Sequence, residues 1–528
     1  MISYPRHQKE DFLDDNNNNN NNSEILYNTQ ADKDFSLDST TEIKSFDTTD
    51  DNISSSAIDI EFQLHPRRWL VLASYCLLSL VCGSNWLCFP AVSNILRQYY
   101  SVGILSINML TIVFGISIVI FSIPFAILLD KYGLSVVMKT SALFNLIGAT
   151  VKYFGDNPEY GYWFLLIGNT FHALSVAGFL FLPGDIATTW FGDGEHGKAT
   201  SLCVAFDALG TGLGFLVASS IITNDPDTVI VGKSIRSFLL VQMIPSIFVF
   251  AFVVMFVRRR PTQPPNLKEL MVRHDQLLRH HNNLQCTLDH TSTTTVCKES
   301  SSIICHHRRH TGTQKIDHYR VLMRSLKSLL TNKDFQLIFH MQGIVASIEG
   351  LFEILLNEML VDVYPGHEHS IGILGFVSVI CGFLTNIIVG TLLDKTGRYR
   401  FLSFIIFISS TILASCWFIT FEYFHNFVVI SIIQSLLMST ITSYYTLAFA
   451  HSERVAGKVS PSAVGVLLVL TSQVYDTVSS FVGTEILACL GSQYVNGLVV
   501  VMCAIATVAT IFVGNKKLDT VLSVSIVV

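Results

Sequence analysis

The sequence contains one short motif twice, Leu128-Leu129-Asp130-Lys131-Tyr132-Gly133 and Leu392-Leu393-Asp394-Lys395-Thr396-Gly397. Each copy lies between two long apolar stretches, and the copies are 264 residues apart, which is half of the 528-residue chain. A repeat at that distance indicates a duplicated membrane-spanning unit, because internal repeats of this kind are typical of transporters. The sequence therefore predicts two related halves that together form a solute carrier.

The composition supports a membrane protein. Half of the residues are hydrophobic, 14% are charged, and the mean hydropathy is +0.47. Such a chain has too few polar side chains to cover an ordinary soluble surface, so the lipid bilayer is its expected partner. The net charge of -6 gives no basic face and argues against a nucleic-acid partner. Most of the eleven cysteines lie in apolar stretches, where they act as small hydrophobes, so no disulfide framework is expected.

Apolar stretches of about 20 residues recur along the chain, and each is long enough to cross roughly 30 Å of hydrocarbon as a helix. They predict an all-α membrane protein whose twelve transmembrane helices form two pseudo-symmetric six-helix bundles. The predicted spans are 69–91, 107–129, 136–154, 162–183, 199–222, 236–257, 337–361, 370–393, 401–420, 425–449, 462–488 and 494–514.

The predicted domain boundaries follow from these spans and from the polar segments between them. The polar segments cannot bury enough apolar area to offset the entropy of ordering. The predicted organisation is a disordered cytoplasmic tail at 1–64, an N-terminal bundle at 65–257, a cytoplasmic linker at 258–334, a C-terminal bundle at 335–515 and a cytoplasmic tail at 516–528.

The distribution of lysine and arginine predicts the orientation. In the twelve-span arrangement most of these residues fall on one side, and the intervals 341–394 and 401–453 contain none. Since basic residues in short loops mark the cytoplasmic side, both termini and the linker are expected to be cytoplasmic. The plasma membrane is favoured, while an endolysosomal membrane is also compatible with this orientation.

The two D-K-x-G loops, in a six-plus-six arrangement, resemble the signature loop of the major facilitator superfamily. The second copy continues with Arg398 and Arg400, as in the family pattern, whereas the first has Leu134 and Ser135. The resemblance implies the major facilitator fold. It also implies gating roles for one group of loop residues: Asp130, Lys131, Gly133, Asp394, Lys395, Gly397 and Arg398.

A narrower resemblance rests on a set of strings in the first half and three sites in the second. The strings are Arg67-Arg68-Trp69, Asn85-Trp86-Leu87-Cys88-Phe89-Pro90, Val92-Ser93-Asn94, Leu182-Pro183, Thr189-Trp190-Phe191 and Leu209-Gly210-Thr211-Gly212; the other sites are Leu355-Leu356-Asn357, Glu453 and Gln473. Together they are similar to the feline leukaemia virus subgroup C receptor-related family of solute carriers. The family is associated with choline and ethanolamine, with haem, or with pyridoxine.

This resemblance implies two substrate-binding residues. Trp86 matches the tryptophan that packs on a quaternary ammonium group, and Gln473 matches a glutamine of the eleventh span. Two positions differ, because Val176 stands where choline-transporting members have a glutamine and Gly350 stands where they have a tyrosine. The departures weaken the case for choline itself.

Glu349 and Glu353 are the sharpest candidates from the residues alone. Ionisable residues at membrane depth are costly and normally face the interior of the bundle. Residues four apart share one helical face, so these two carboxyl groups are placed to share a proton or one cationic ligand. At least one is expected to be protonated in the empty carrier. The alternative is that Glu353 or Glu358 lies near the external end and is simply hydrated.

Asp207, His172 and Asp476 are candidates for a coupling ion or proton, although each has a structural reading as a hydrogen-bonded residue. Gly210, Gly212 and Gly214 follow Asp207 at a spacing that predicts close contact with a neighbouring helix. The linker residues Cys297, Cys305, His306, His307 and His310 lack a C-x-x-C motif, so no metal site and no cofactor is expected.

These observations predict a monomeric secondary transporter that moves a small amine or quaternary ammonium compound, such as choline or ethanolamine, by alternating access. Haem or pyridoxine is the alternative within the family, and a uniporter and a proton-coupled carrier both remain open. The alternatives of another class are a membrane-embedded enzyme, for which His172 with Asp185 is the one faint pair, and a non-transporting receptor. The expectation is that the protein is not an enzyme.

Overall fold

The computed structural model describes residues 65–192, 195–258, 260–261, 329–456 and 461–512. The predicted tails at 1–64 and 516–528 and nearly all of the predicted linker at 258–334 lie outside these residues. Within them the chain forms fifteen α-helices and no β-strand. The predicted all-α class is confirmed.

The first half contributes eight of these helices. They are α1 (Arg68–Trp86), α2 (Ser93–Tyr100), α3 (Ile104–Tyr132), α4 (Leu134–Lys152), α5 (Gly161–Phe179), α6 (Leu182–Trp190), α7 (His196–Ile221) and α8 (Thr228–Phe256). The second half contributes seven. They are α9 (Lys333–Val361), α10 (Glu368–Thr396), α11 (Tyr399–Ile419), α12 (Phe427–Thr442), α13 (Tyr444–Ala456), α14 (Pro461–Leu490) and α15 (Ser492–Phe512).

Ten helical segments of the described chain are long and apolar enough to cross a bilayer, and the bent pair α5–α6 makes an eleventh. The predicted seventh span, α9, is not among them by composition. Its 29 residues would nevertheless extend about 44 Å at 1.5 Å per residue, which exceeds the hydrocarbon thickness. Twelve spans result when α9 is counted with the others.

Three of the predicted spans are not continuous helices. The first breaks after Trp86, and a 3₁₀ turn that begins at Pro90 separates α1 from α2. The fourth bends by 43° between α5 and α6, next to Pro183. Proline has no N–H to donate, so each break lies where the helical hydrogen-bond pattern is interrupted. The tenth breaks at Ser443, whose hydroxyl instead donates to the Thr440 carbonyl at 2.7 Å.

The two halves pack against each other along paired helices. α3 of the first half contacts α14 of the second, and α7 contacts α10. Within the first half, α1 packs closely against α7. The lack of a side chain on Gly210 permits this approach, because a Cβ atom there would overlap the backbone of Leu80. The expected role of the α7 glycines in close helix packing is thus confirmed at this position.

The D-K-x-G loops form tight reversals between consecutive helices. Gly133 joins α3 to α4 with a φ of 81°, and Gly397 joins α10 to α11 with a φ of 60°. These backbone conformations favour glycine, as expected for both turns. Lys131 and Lys395 are exposed at these turns, whereas the side chains of Asp130 and Asp394 lie outside the described residues. We call this end of the bundle the D-K-x-G end.

Candidate solute-binding site

Four carboxyl groups, three in the second half and one in the first, interact electrostatically. Glu349 and Glu353 are half-buried on α9, and the hydroxyl of Tyr445 on α13 hydrogen-bonds to Glu349. The carboxyl group of Glu353 interacts electrostatically with those of Glu349, Asp476 and Asp207. Because Asp207 belongs to α7 of the first half, the cluster spans the interface that must rearrange in alternating access.

These carboxyl groups have hydroxyl partners rather than cationic ones. Ser79 donates to Asp207 at 2.7 Å, and Ser480 donates to Asp476 at 3.2 Å. Among the described residues, no lysine or arginine forms an ion pair with any of the four. Carboxylates that repel one another in this way are stabilised by protons or by a bound cation.

Gly350 makes room for one of these carboxyl groups. A Cβ atom built on Gly350 would overlap the Asp476 Oδ1 atom and would lie 3.4 Å from the Ser480 hydroxyl. The absence of a side chain on α9 therefore lets the Asp476 carboxyl lie directly against that helix. From the sequence, Gly350 was only a departure from a family pattern. Its contact with Asp476 joins residues 126 positions apart, so it has no local sequence signal.

Trp86 and Gln473 lie on either side of one turn of α3. The Trp86 ring stacks on Phe114 with ring centroids 5.4 Å apart and an angle of 7° between the planes. One face of the indole is therefore covered by Phe114, so a cation would have to contact the opposite face. Gly115, the next residue along α3, faces Thr477 and the backbone of Gln473 on α14. The side-chain Oε1 atom of Gln473 is buried without a hydrogen-bond partner among the described residues.

Lys152 supports the end of α1 that carries Trp86. Its side chain is 1% exposed, and its Nζ atom donates to Asn85 Oδ1 at 2.8 Å and lies 5.2 Å from the centre of the Phe89 ring. Asn85 also donates to the Val81 carbonyl at 2.8 Å, which completes its hydrogen bonding within α1. The charged group of Lys152 is therefore buried inside the first half.

His172 belongs to this polar group of the first half. Its Nδ1 atom is 2.9 Å from Asn145 Oδ1, and its ring interacts electrostatically with Lys152. Within the described chain no recorded contact joins His172 to Asp207 or to the glutamates of α9. A role for His172 in proton coupling therefore remains a sequence prediction without a direct geometric connection.

Polar contacts close the molecule at the end opposite the D-K-x-G loops. Arg97 Nη1 is 2.8 Å from Glu358 Oε2, and Glu368 accepts hydrogen bonds from Asn94 at 3.2 Å and from Asn224 at 2.8 Å. Asn357 donates to the Ala91 carbonyl at 2.8 Å, and Ser93 donates to Asn357 at 3.1 Å. We call these contacts the opposite-end latch. In the described residues, every hydrogen bond recorded between the halves lies toward this end.

Residues 75–483 match the Major Facilitator Superfamily, and the chain belongs to that superfamily. Its helical fold and family are those of a secondary membrane transporter with a small-molecule substrate, and not those of an enzyme. The embedded-enzyme alternative, which depended on His172 and Asp185, is thereby excluded.

The curated relatives are distant but extend over most of the chain. The choline/ethanolamine transporter flvcr2b of Danio rerio is 24% identical over 87% of this chain and 85% of its own length. The human choline/ethanolamine transporter FLVCR2 is 23% identical over 85% of this chain and 77% of its own length. An uncharacterized MFS-type transporter of Caenorhabditis elegans, C09D4.1, is 23% identical over 86% of this chain and 70% of its own. The expected resemblance to the receptor-related family is confirmed at this modest identity.

Solved structures confirm the fold. A bacterial homologue of the human lysosomal transporter Spinster, in an inward-facing and unoccupied conformation, superposes with a TM-score of 0.60 at 12% identity, covering 85% of this chain and 98% of its own. The xylose transporter XylE of E. coli, in a partially occluded inward-open conformation, gives a TM-score of 0.60 at 12% identity, with 85% and 100% coverage. At this identity the likeness shows the fold alone.

Proposed function

We propose that this transporter carries a small organic cation, an amine or a quaternary ammonium compound, through a site between the two bundles. The observation that carries the proposal is the carboxyl cluster of Glu349, Glu353, Asp476 and Asp207, which has no cationic partner in the described chain. A positively charged solute would supply the charge that the cluster lacks. A neutral or anionic solute would have to be bound against it.

Trp86 and Gln473 support the same class of substrate. The open face of an indole attracts an ammonium group, and the attraction becomes stronger where water is excluded. Phe114 stacks on the other face and fixes the ring, so the indole is held ready for a cation. The buried, unpartnered Oε1 atom of Gln473 can accept a hydrogen bond from a hydroxyl or ammonium group of the solute. Distant relatives that are named choline/ethanolamine transporters favour this class further.

Alternating access supplies the mechanism. The bundles at 65–257 and 335–515 would rock about the site, and the opposite-end latch would break when the site opens to that side. We propose that the D-K-x-G end is cytoplasmic, as the loop charges predict, and that the plasma membrane is the location. The recorded conformation would then be closed to the outside. Asp207 and Asp476 are proposed to bind a coupling proton or ion during the transport cycle.

Uptake by purified protein in liposomes tests the proposal. Radiolabelled choline, ethanolamine, pyridoxine and haem are offered separately at two proton gradients. We expect saturable uptake of choline or ethanolamine, and we expect Glu353→Gln to lower its kcat/KM at least tenfold, since it removes a charge-assisted contact. Glu485→Gln is the matched control, because Glu485 is an exposed carboxylate of α14. Uptake of haem or pyridoxine alone would refute the cation assignment.

A further inference from the structure

A cavity lies at the D-K-x-G end, and none of the four carboxyl groups lines it. Its volume is about 810 Å³, within the ~300–1,000 Å³ of typical ligand pockets. The second D-K-x-G loop forms one wall, while the starts of α9 and α11 and the ends of α13 and α15 form the rest. All of these elements belong to the second half, so the cavity persists as that half moves as a unit.

The lining of the cavity is rich in basic groups. Arg398, Arg400 and Arg454 line it, together with one described carboxylate, Asp334. Within the described chain, neither Arg398 nor Arg454 forms an ion pair with a carboxylate. Arg454 stacks over the Tyr399 ring at 5.1 Å, which holds its guanidinium group in place. Guanidinium groups fixed in this manner suit the bidentate binding of phosphate.

A buried histidine also lines the cavity, where it interacts electrostatically with Asp334 and Arg454. His451 is 8% exposed and stacks on Tyr399 with ring centroids 5.3 Å apart. Its Nδ1 atom has no hydrogen-bond partner among the described residues, although it is buried. A buried polar atom without a partner is costly, and a ligand in the cavity would relieve that cost.

The remaining wall is apolar and faces the lipid. Phe401 is 57% exposed, Phe404 is 36% exposed and Ile511 is 55% exposed, and all three line the cavity. A small soluble anion would use the arginines but would leave these side chains uncovered. A ligand with a phosphate group at one end and a hydrocarbon chain at the other would contact both walls.

We propose that this cavity binds an anionic phospholipid, with the headgroup phosphate on Arg398 and Arg454 and an acyl chain along Phe401 and Phe404. Basic pockets between helices at the cytoplasmic surface have the chemistry for anionic headgroups, and the loop charges predict this surface for the D-K-x-G end. A bound lipid would tie the second D-K-x-G loop to the ends of α13 and α15. The proposal does not depend on which solute the transporter carries.

Binding of a short-chain lipid to the full-length protein in detergent tests the site by native mass spectrometry. The probe is dioctanoyl phosphatidylinositol 4-phosphate, with dioctanoyl phosphatidylcholine as the neutral lipid and inositol 1,4-bisphosphate as the free headgroup. We expect saturable binding of the anionic lipid, at least tenfold tighter than either comparison probe. The Arg398→Gln/Arg454→Gln variant should weaken it about tenfold or more.

A matched variant separates the cavity from diffuse attraction. Arg67→Gln/Arg258→Gln removes two exposed arginines at the same end of the first half, neither of which lines the cavity. We expect this variant to bind within twofold of the native protein. If it weakens as much as the cavity variant, if the free headgroup binds as tightly as the lipid, or if no saturable binding occurs, the proposal fails. Should the double cavity variant not fold, Arg398→Gln alone gives the same comparison, since its side chain is exposed.

Discussion

Glu358→Gln is expected to loosen the opposite-end latch and to shift the transporter toward the conformation that is open at that end. Glu358 lies on α9, and its side chain is 4% exposed, whereas the side chain of its partner Arg97 is 40% exposed. The pair joins the two halves at 2.8 Å, so it cannot persist when the halves separate there. Replacing the carboxylate by an amide keeps the shape but removes the charge from a contact made only in the closed state.

The magnitude follows from the geometry of this pair. A hydrogen bond between charged groups contributes about 1.5–3 kcal/mol, and the buried carboxylate places this contact within that range despite the half-exposed arginine. Because 1.4 kcal/mol corresponds to a factor of ten, the ratio of open to closed molecules should rise by about 10- to 150-fold. A mutation shifts such an equilibrium only by the difference between its effects on the free energies of the two states. Glu358→Gln meets this condition, because the contact with Arg97 is made only in the closed state.

The assay is the distance distribution between fluorophores placed at Thr228 and His369, two exposed positions at the opposite end on different halves. Glu358→Gln should increase the long-distance population, and Arg97→Gln should add little on top of it, since both changes remove the same contact. Glu485→Gln is the control. Identical distributions for the Glu358 and Glu485 variants would refute the assignment of this pair as part of the latch.

Three further predictions concern the solute site, each measured by uptake into liposomes. Trp86→Ala should raise the half-saturation concentration of a cationic solute while Trp86→Phe retains part of the affinity; equal losses would count against cation-π recognition. Gly350→Ala should lower transport several-fold because the added methyl group displaces the Asp476 carboxyl, whereas Gly465→Ala, the control, should not. In an Asp476→Ala background, Gly350→Ala should have no further effect, and additive losses would contradict this explanation. Glu349→Gln should abolish the pH dependence of transport where that carboxyl carries the coupled proton, and an unchanged pH profile would remove Glu349 from that role.

The interrupted spans show where sequence reasoning about the fold was limited. Apolar length predicted the first span as one segment from 69 to 91, but Trp86 ends α1 and a separate helix begins at Ser93. Hydropathy reports whether a stretch is apolar, and it is nearly blind to a break within an apolar stretch. Pro90 and Pro183 carried the local signal for two of the breaks, which a reading of proline positions could have found.

The candidate site divides in the same manner. The pairing of Glu349 with Glu353 is a helical property, because residues four apart share a face wherever the helix lies. The interaction of Asp207 and Asp476 with that pair depends on how the helices pack, with α14 against α9 and α7 against α10, and no local pattern encodes it. The hydrogen bond from Lys152 to Asn85 is a further case, since it joins residues 67 positions apart and no local pattern indicates it.

The sequence by itself determined the class of this protein: apolar segments of membrane-spanning length, a motif repeated at half the chain, and acidic residues at membrane depth. These features are local or periodic, so they can be recognised from the order of residues along the chain. Only the tertiary structure decided which charges meet, which aromatic ring covers one face of Trp86, where the halves are joined and which arginines line a cavity. Those properties arise from contacts between residues that are far apart in the chain, and they exist only when the helices pack.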